Sequence, residues 1–477
     1  MNIPIRRLAI AFAALFAVSS VGLAQREPLK PSATGEVPPK TWVDKDTGHR
    51  VWRMTDEPGS GAFYFNVNGY TPDLKTLIYT APDGIHGLDL ATKKTWLIVP
   101  NPAPTAGENN PRFGGVHAIV AGHKTNSVFF SKADPATRVV TLYKADVYSK
   151  QVTKLCDLPK GMGVATINAD ETLGAGTMND NPEDTRAYGQ NSVAPSSQSG
   201  PHVQPLNKGQ MMEQRLAAKI PITLYTIELS TGKLHPLIQH STDWINHLLF
   251  SPTDPTLLMY CHEGPWQKVD RIWMIHTDAT HNTLIHKRRI ANEIAGHEFW
   301  GLDGKTIWYD WQPIKGEDFY LAGYDLANGK RTAYHMDRND WSIHFNLTKD
   351  LDIFCGDGGD PGQVAKAPDG EWIELFHPRL QGTNGSLNDP DFFQPGVFHA
   401  EHMVNMAWHD YHQEPNVRFS PDKTMVFFTS NMFGPSYLLG VEVEKAVNPK
   451  PDEVISTPEL AKKYNPREPV DTHAIPK

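Results

Sequence analysis

Apolar and polar residues follow one recurring pattern along most of this chain: an apolar run, a turn that contains Asp with Gly or Pro, and a second apolar run. Residues 296–309 show it most clearly, since they read GHEFWGLDGKTIWY. Aromatic and β-branched residues favour strands, and Asp-Gly between two such runs is a strong hairpin signal. The pattern predicts a β-hairpin here, and His297 opens its first strand.

The same unit occurs seven times. Its turn residue falls at positions 73, 123, 170, 254, 303, 350 and 422, so successive units lie 50, 47, 84, 49, 47 and 72 residues apart. A period of roughly 40–50 residues is typical of the four-stranded blades of a β-propeller. Further strand pairs, such as one at 224–229 and one at 320–325, would form the outer half of a blade. The chain is therefore predicted to be all-β, a seven-bladed β-propeller over residues 46–477.

Two of the gaps are longer than the period requires. The extra residues lie at about 179–218 and 355–414, and both segments are rich in Gly, Pro, Asn, Asp and His. Long loops on a rigid scaffold frequently carry function. We expect both segments to be long loops that cross one face of the propeller and flank a site.

The N-terminus has the pattern of a secretory signal. Arg6 and Arg7 precede an apolar stretch at 8–18, and small residues stand at the cleavage position. This predicts a signal peptide over 1–24, a Pro- and charge-rich linker over 25–45, and a periplasmic or secreted protein. A membrane anchor or a buried helix is the alternative. No later stretch is long and apolar enough to span a bilayer, so no membrane association is expected after cleavage.

Composition narrows the function. The 477 residues are 39% hydrophobic and 10% aromatic, as in a globular protein, and the formal net charge is −9. A general nucleic-acid binder would show a basic surface, so no nucleic-acid partner is expected. An acidic protein can still hold a small basic pocket for an anionic substrate. The three cysteines are far apart, which predicts buried free thiols rather than a disulfide framework.

Histidines recur at one position of the repeat. Six residues before the turn residue stand His117, His297, His344 and Asn416, and the fourth unit, whose turn is one residue longer, has His247 there. If the first strand of each hairpin lines the central channel, these side chains form a ring around the axis. Neutral imidazoles are the commonest ligands for divalent transition metals. His297 and His344, on adjacent blades, form the strongest ligand pair, whereas His247 could be a third ligand or a catalytic base.

Further polar groups are expected at the entrance to this channel. The last long segment ends in His409, His412 and Glu414, which could complete a metal site or bind substrate. Arg215 and Arg271 could bind an anionic substrate, because a guanidinium matches a carboxylate. The candidates for substrate binding are His117, His262, Arg271, Trp300, His409 and Asn416.

Several motifs resemble those of the oligogalacturonate lyases. The resemblance covers about 215–445 and is carried by Trp244-Ile245-Asn246-His247, Cys261-His262-Glu263-Gly264-Pro265, Arg271-Ile272-Trp273, His297-Glu298-Phe299-Trp300, His344 with Gly356-Asp357-Gly358, and Phe419-Ser420-Pro421-Asp422. It implies a seven-bladed propeller that cleaves short pectin fragments, which are acidic oligosaccharides, by β-elimination. It also implies a divalent metal, usually manganese, held by three histidines and a glutamine, with a His and an Arg outside the metal shell acting on the substrate.

Carried over by motif, the resemblance makes His297 and His344 metal ligands, His247 the catalytic base and Arg215 the catalytic arginine. The glutamine position of the family is occupied here by Trp341. The third metal histidine would fall near Asn416 or Glu414, and neither is His. The metal shell is therefore altered, or it is completed by His409, His412, Gln413 or Glu414. Of these, His412 and Glu414 are the predicted additional ligands.

The sequence thus predicts a secreted, metal-dependent carbon–oxygen lyase that acts on uronate-containing oligosaccharides. The alternative is a non-catalytic propeller that binds sugars or proteins at the cell envelope, since propellers are common interaction platforms. A propeller joined to a serine peptidase is set aside, because the chain has no Gly-x-Ser-x-Gly motif. The acid that protonates the leaving group stays open between a tyrosine such as Tyr411, another histidine and water.

Overall fold

The computed structural model describes residues 34, 36–102, 115–180, 207–359, 369 and 371–467. The predicted signal peptide lies outside the described residues. Two N-terminal strands come first, β1 (Thr41–Asp44) and β2 (His49–Arg53). The predicted linker at 25–45 therefore ends earlier than expected, because its last residues already form a strand.

Seven antiparallel blades follow, and the prediction of a seven-bladed β-propeller is confirmed. Blades 1 to 3 consist of β3 (Gly61–Ala62), β4 (Thr76–Ala81), β5 (Gly84–Asp89) and β6 (Thr95–Pro100); β7 (Val116–Ala121), β8 (Ser127–Ala133), β9 (Val140–Asp146) and β10 (Val152–Asp157); and β11 (Thr166–Ile167), β12 (Leu173–Asn179), β13 (Ile222–Glu228) and β14 (Leu234–Ser241). A helix, α1 (Lys208–Ala218), precedes β13.

Blades 4 to 7 consist of β15 (Trp244–Phe250), β16 (Leu257–Glu263), β17 (Ile272–His276) and β18 (Thr283–Leu284); β19 (Ile294–Trp300), β20 (Thr306–Gln312), β21 (Tyr320–Asp325) and β22 (Arg331–His335); β23 (Phe345–Leu347), β24 (Phe354–Gly356), β25 (Trp372–Leu380) and β26 (Phe393–Asn405); and β27 (Arg418–Phe419), β28 (Met425–Ser430) and β29 (Tyr437–Lys445). After them come β30 (Val454–Ile455) and α2 (Thr457–Tyr464). Two short 3-10 helices span Arg338–Asp340 and Pro451–Glu453.

The first strand of each blade is the innermost. Strand β11 contacts both β7 and β15, and β23 contacts β27, so the first strands of neighbouring blades face one another. The first strand of each hairpin therefore lines the central channel, which is the condition for residues at one repeat position to form a ring. Apolar residues fill the space between blades, as in the cluster of Leu249, Met259, Trp300 and Ile307 between blades 4 and 5.

The two ends of the chain close the ring together. Strand β2 pairs with β29 and becomes the fourth strand of blade 7, while β1 pairs with β2 and with β30. The indole Nε1 of Trp42 donates to Thr457 Oγ1 at 2.8 Å, and that hydroxyl donates to Asp44 Oδ2 at 2.7 Å. Val51, at the centre of β2, is fully buried. Closure therefore rests on strand pairing and side-chain packing.

The prediction of a long loop at 355–414 is wrong for the central part of that segment. Residues Trp372–Leu380 and Phe393–Asn405 are the paired strands β25 and β26. Strand β26 also pairs in parallel with β22, so blades 5 and 6 share one eight-stranded sheet. Apolar residues such as Ile373, Phe376 and Phe398 pack into the core here, so the segment forms strands despite its many polar residues. In the other predicted loop, 181–206 lies outside the described residues and α1 occupies its end.

The three cysteines are buried and free, as predicted. Within the described ranges, the structure contains no helix with both the length and the apolar character needed to cross a membrane.

Candidate active site

The repeat position identified in the sequence has an unusual backbone conformation. His247, His297 and Asn416 have φ angles of 49°, 44° and 59°, in the left-handed region that non-glycine residues seldom adopt. The two histidines lie within β-bulges, between Asn246 and Leu249 in β15 and between Gly296 and Phe299 in β19. A bulge redirects a side chain, and strained backbone concentrates at functional sites.

His344 lies immediately before β23 and is fully buried. Its Nδ1 lies 2.8 Å from Asp357 Oδ2, and its backbone N–H donates to Asp357 Oδ1 at 2.8 Å. Its ring stacks on Phe65 with the ring centroids 4.4 Å apart. Burial opposes protonation, but the charges of Asp357 and Glu414 outweigh it and raise the pKa of His344. With Nδ1–H donating to Asp357, Nε2 is the nitrogen that can accept a proton or bind a metal.

His297 lies beside it, with the two imidazole centroids 4.9 Å apart. Its Nδ1 lies 3.3 Å from Asp310 Oδ2, and its ring meets the edge of Trp266 at 4.9 Å. Asp310 is buried. Metal-binding histidines usually donate one ring nitrogen to a carboxylate, which fixes the tautomer and the ring orientation. Both histidines meet this requirement, so their Nε2 atoms are suited to hold a divalent metal.

His247 belongs to a second buried group. Its Nε2 lies 3.0 Å from Glu263 Oε2, and Arg271 donates from Nη1 to Glu263 Oε1 at 2.6 Å. The guanidinium of Arg271 also lies 4.4 Å from the centroid of Trp266. Burial would raise the pKa of Glu263, but the charge of Arg271 and the hydrogen bond from His247 hold it well below its usual value. Glu263 therefore orients His247 and leaves Nδ1 as the acceptor nitrogen of the neutral ring.

Tyr64 connects these groups, although no sequence pattern pointed to it. Its hydroxyl lies 3.1 Å from His344 Nε2, and its ring centroid lies 6.5 Å from that of His247. Burial raises the pKa of Tyr64 well above its usual value, and the charges of surrounding carboxylates, Glu414 foremost, raise it further. Tyr64 lies in an apolar, aromatic stretch, so no polar motif marked it.

Arg215 lies on the buried side of α1, which also contains Met211 and Met212. Its guanidinium stacks over Trp244 at 4.4 Å, and Nη2 donates to Asn179 Oδ1 at 3.5 Å. Trp244 pairs with Glu263 across β15 and β16, so Arg215 lies at the same end of blade 4 as the His247 group. Burial lowers the pKa of Arg215 to about 10. Its contacts within the described ranges include no carboxylate.

The structure supports two further candidates in part. Glu414 Oε2 lies 3.8 Å from His344 Nε2, close enough to complete a site around that nitrogen. Asn416 accepts the backbone N–H of Phe65 through Oδ1 at 3.0 Å and donates from Nδ2 to the Glu414 carbonyl at 2.8 Å. Both polar atoms of the Asn416 side-chain amide thus bind neighbouring backbone groups.

Four predicted site residues are placed elsewhere. His412 is exposed and pairs with Asp410 at 2.7 Å. His409 is buried, with Nδ1 at 3.0 Å from Ser430 Oγ and Nε2 at 2.7 Å from the Gln413 carbonyl, so both nitrogens have structural partners. Trp300 packs between blades and donates to the Leu249 carbonyl at 3.0 Å. His117 is exposed and pairs with Ser131, because the bulge in β7 falls after Ala118.

The ring of His262 has different neighbours from the carboxylate of the adjacent Glu263. Its ring packs against Trp273 with centroids 4.8 Å apart, and Nδ1 lies 3.9 Å from Asp243 Oδ2. Adjacent residues of a strand point to opposite faces. Burial lowers the pKa of His262. It lies next to the His247 group without belonging to it.

Comparison with known proteins shows the family of this chain. The sequence profile of the family described as "Oligogalacturonate lyase" matches residues 40–447. The chain belongs to the oligogalacturonate lyase family. The resemblance to this family is therefore confirmed. The prediction that the protein is an enzyme, a carbon–oxygen lyase, is confirmed with it.

Two curated relatives give the scale of the similarity. An oligogalacturonate lyase from Dickeya dadantii is 23% identical over 430 residues, which is 85% of this chain and 96% of that protein. An oligogalacturonide lyase from Pectobacterium atrosepticum is 26% identical over 234 residues, which is 47% of this chain and 56% of that protein. This second match spans little more than half of the relative's length.

Solved structures show the same fold. An oligogalacturonate lyase in complex with manganese has a TM-score of 0.63 at 20% identity, over 85% of this chain and 96% of that one. An oligogalacturonate lyase from Vibrio parahaemolyticus has a TM-score of 0.61 at 20% identity, with the same coverage.

The buried pair of Glu263 and Arg271 generates a stability prediction. Replacing Arg271 with Met should destabilise the protein by about 3–5 kcal/mol, because Glu263 is left buried and unpaired. The double variant Arg271→Met, Glu263→Gln should recover part of this loss. Urea unfolding of the three proteins measures it, and a double variant no more stable than Arg271→Met would contradict the pairing.

His409 generates a pH prediction. Burial lowers its pKa to about 4, from about 6.5 when unfolded. The neutral ring is thus favoured by folding, so its contribution is complete above pH ~6.5 and is lost as the pH falls toward ~4, by about 3 kcal/mol in total. The variant His409→Gln should lose less stability over this interval, and the exposed His412→Gln should behave like the wild type. Equal acid sensitivity of all three proteins would refute this role.

Proposed function

We propose that this protein is a metal-dependent lyase that cleaves uronate-containing oligosaccharides of the oligogalacturonide type by β-elimination. The observation that carries the proposal is the grouping of three histidines around Tyr64, which contacts His344 and lies beside His247, while His297 packs against His344. Each of the three is oriented by a buried carboxylate. Membership of the oligogalacturonate lyase family supports the substrate class. The signal-like N-terminus supports an exported enzyme.

β-Elimination begins with removal of the proton at C5 of a uronate, α to the carboxylate. In the proposed mechanism Nδ1 of His247 takes this proton, since Glu263 holds Nε2 and keeps the ring in one tautomer. The electron pair forms the C4–C5 double bond as the bond between C4 and O4 breaks. Negative charge builds on the carboxylate during this step, so groups that stabilise it lower the barrier.

Arg215 is the proposed partner of the substrate carboxylate. Its known contacts in the described part of the chain are an aromatic ring and an amide oxygen, so its charge is not neutralised there. Arg271 is less suited to this role because Glu263 already occupies it at 2.6 Å. A planar guanidinium binds a carboxylate through two parallel hydrogen bonds.

The residues that would hold the metal are His297 and His344 through Nε2, together with the carboxylate of Glu414. The chemistry of this donor set suits a divalent ion, since imidazole and carboxylate ligands both suit manganese and the aspartates that orient the two histidines are already in place. The three ligand atoms do not all lie within 4.8 Å of one another, so a side chain would shift when the ion binds. The relative with the same fold is in complex with manganese. When bound, the ion would supply positive charge at the substrate carboxylate.

Tyr64 is the proposed acid for the leaving group. Its raised pKa keeps the hydroxyl protonated at neutral pH, so the proton is available for O4. Tyr411, the tyrosine suggested by the sequence, is buried and donates to the Asp357 carbonyl at 3.1 Å. Tyr411 therefore has a structural contact, whereas Tyr64 lies between His247 and His344.

The first test of this function is product formation from a panel of uronate oligosaccharides. The wild type should release unsaturated uronates, detected by ultraviolet absorbance, and His247→Gln should lower kcat by about 10²–10⁴-fold because it removes the base. The matched control His412→Gln replaces an exposed histidine and should retain full activity. Chelation should abolish the activity, and manganese should restore it.

Absence of an unsaturated product from every member of the panel would overturn the lyase proposal. Binding of these sugars that is equal in wild type and His247→Gln, with no product from either, would instead support the non-catalytic propeller.

Removing the Tyr64 hydroxyl tests the acid. Tyr64→Phe should lower kcat on oligosaccharides by about 10²-fold or more, since O4 would leave without a proton. A uronate with a phenolic leaving group at C4 needs little acid assistance, so its elimination by Tyr64→Phe should approach the wild-type rate. Equal losses on both substrates would show that Tyr64 acts by another route.

A further inference from the structure

A second group of ligand-type side chains lies in the outer part of blade 6. Asp340 ends the 3-10 helix before β23, Glu374 lies in β25, and His402 lies opposite it in β26. One ligand atom from each lies within 4.8 Å of the others, the only such set of three among the residues that the structure describes. The group shares no residue with the candidate active site.

Glu374 is the feature that requires explanation. It is completely buried, and neither carboxylate oxygen accepts a hydrogen bond from the described part of the chain. Its charged neighbours include Asp340 and Asp369, which repel a negative charge. Burial, followed by these two carboxylates, raises the pKa of Glu374 well above its usual value. A buried carboxylate in this position is unstable unless a cation or a proton neutralises it.

The distances between the ligand atoms approach those of a metal site. His402 Nε2 lies 3.4 Å from Glu374 Oε1 and 3.7 Å from Asp340 Oδ1. Ligand atoms that each lie roughly 2.1 Å from one ion are separated by roughly 3.0–3.5 Å. The imidazole stacks on Trp372 with centroids 4.3 Å apart and an interplanar angle of 11°, which fixes the direction of the ring. The side chains of His402 and Asp340 are partly exposed, so an ion can enter from solvent.

We propose that Asp340, Glu374 and His402 bind a divalent transition-metal ion, manganese or zinc, at a second site outside the active site. Two carboxylates and one imidazole are a donor set that suits these ions. The ion would join three segments that are distant in sequence, namely β25, β26 and the segment that leads into His344. Its role would be to hold blade 6 together beside the catalytic centre.

Counting bound ions tests the proposal. Full-length protein stripped with a chelator is dialysed against Mn²⁺ or Zn²⁺, and the bound metal is measured per chain. Wild type should bind one ion more than His402→Asn, and the affinity of this site should fall by more than about 100-fold in that variant. His399→Asn is the matched control, because His399 lies in the same strand, is exposed and stands outside the group.

A second variant separates metal binding from folding. Glu374→Gln keeps the shape of the side chain and removes its charge. It should not lower the thermal midpoint of the metal-free protein, and it should abolish the rise in midpoint that metal gives the wild type through this site. Metal binding and a metal-induced rise in midpoint that are unchanged in Glu374→Gln would overturn the proposal and identify Glu374 as a neutral acid.

The two metal proposals fail independently. His344→Asn should remove the ion of the active site and leave the ion of blade 6. Suppose that the wild type binds one ion, that His402→Asn loses it and that His344→Asn keeps it. This result would support the second site and refute the proposed metal of the active site. One ion lost in His344→Asn and kept in both His402→Asn and Glu374→Gln would refute the second site.

Discussion

Buried carboxylates paired with imidazoles are the interaction on which the site depends. Asp357 holds His344, Asp310 holds His297, and Glu263 holds His247. A buried carboxylate is costly without a partner, and an imidazole can rotate without one. In each pair the imidazole provides a hydrogen-bond partner for the buried carboxylate, and the carboxylate fixes the orientation and the tautomer of the imidazole. The free-energy cost of burying the carboxylate is offset only while both residues are present, so a single substitution in a pair is destabilising.

The propeller repeats this interaction with the same geometry. Each histidine stands at or just before the innermost strand of its blade, and its carboxylate stands on or just after the second strand. The separation is 13 residues for His297 with Asp310 and for His344 with Asp357, and 16 for His247 with Glu263. An antiparallel hairpin returns the chain to its starting point after about this length. The hairpin that builds the blade therefore also supplies the partner that orients its histidine.

This spacing explains what the sequence could and could not predict. The hairpin period located the blades, and the register grouped His247, His297 and His344, which the structure also brings together, because both depend on local strand and turn preferences. The register failed for His117, since the position of a bulge depends on packing between strands. Tyr64 was missed because its role arises from contacts between blades 1 and 6. The 13-residue spacing between His and Asp was present in the sequence and would have identified both aspartates.

The outer group of blade 6 and the active site are mechanically connected by one short segment. Beyond Asp340, the Ser342 hydroxyl accepts the Gly358 N–H at 3.1 Å, and the Ile343 N–H donates to the Gly358 carbonyl at 2.9 Å. His344 then bonds to Asp357 through both its backbone and its ring. Any group that fixes Asp340 restricts the segment that carries His344, while Trp341 between them is buried in the core. The position of an active-site histidine is thus determined from two sides, by its own aspartate and by the outer strands of its blade.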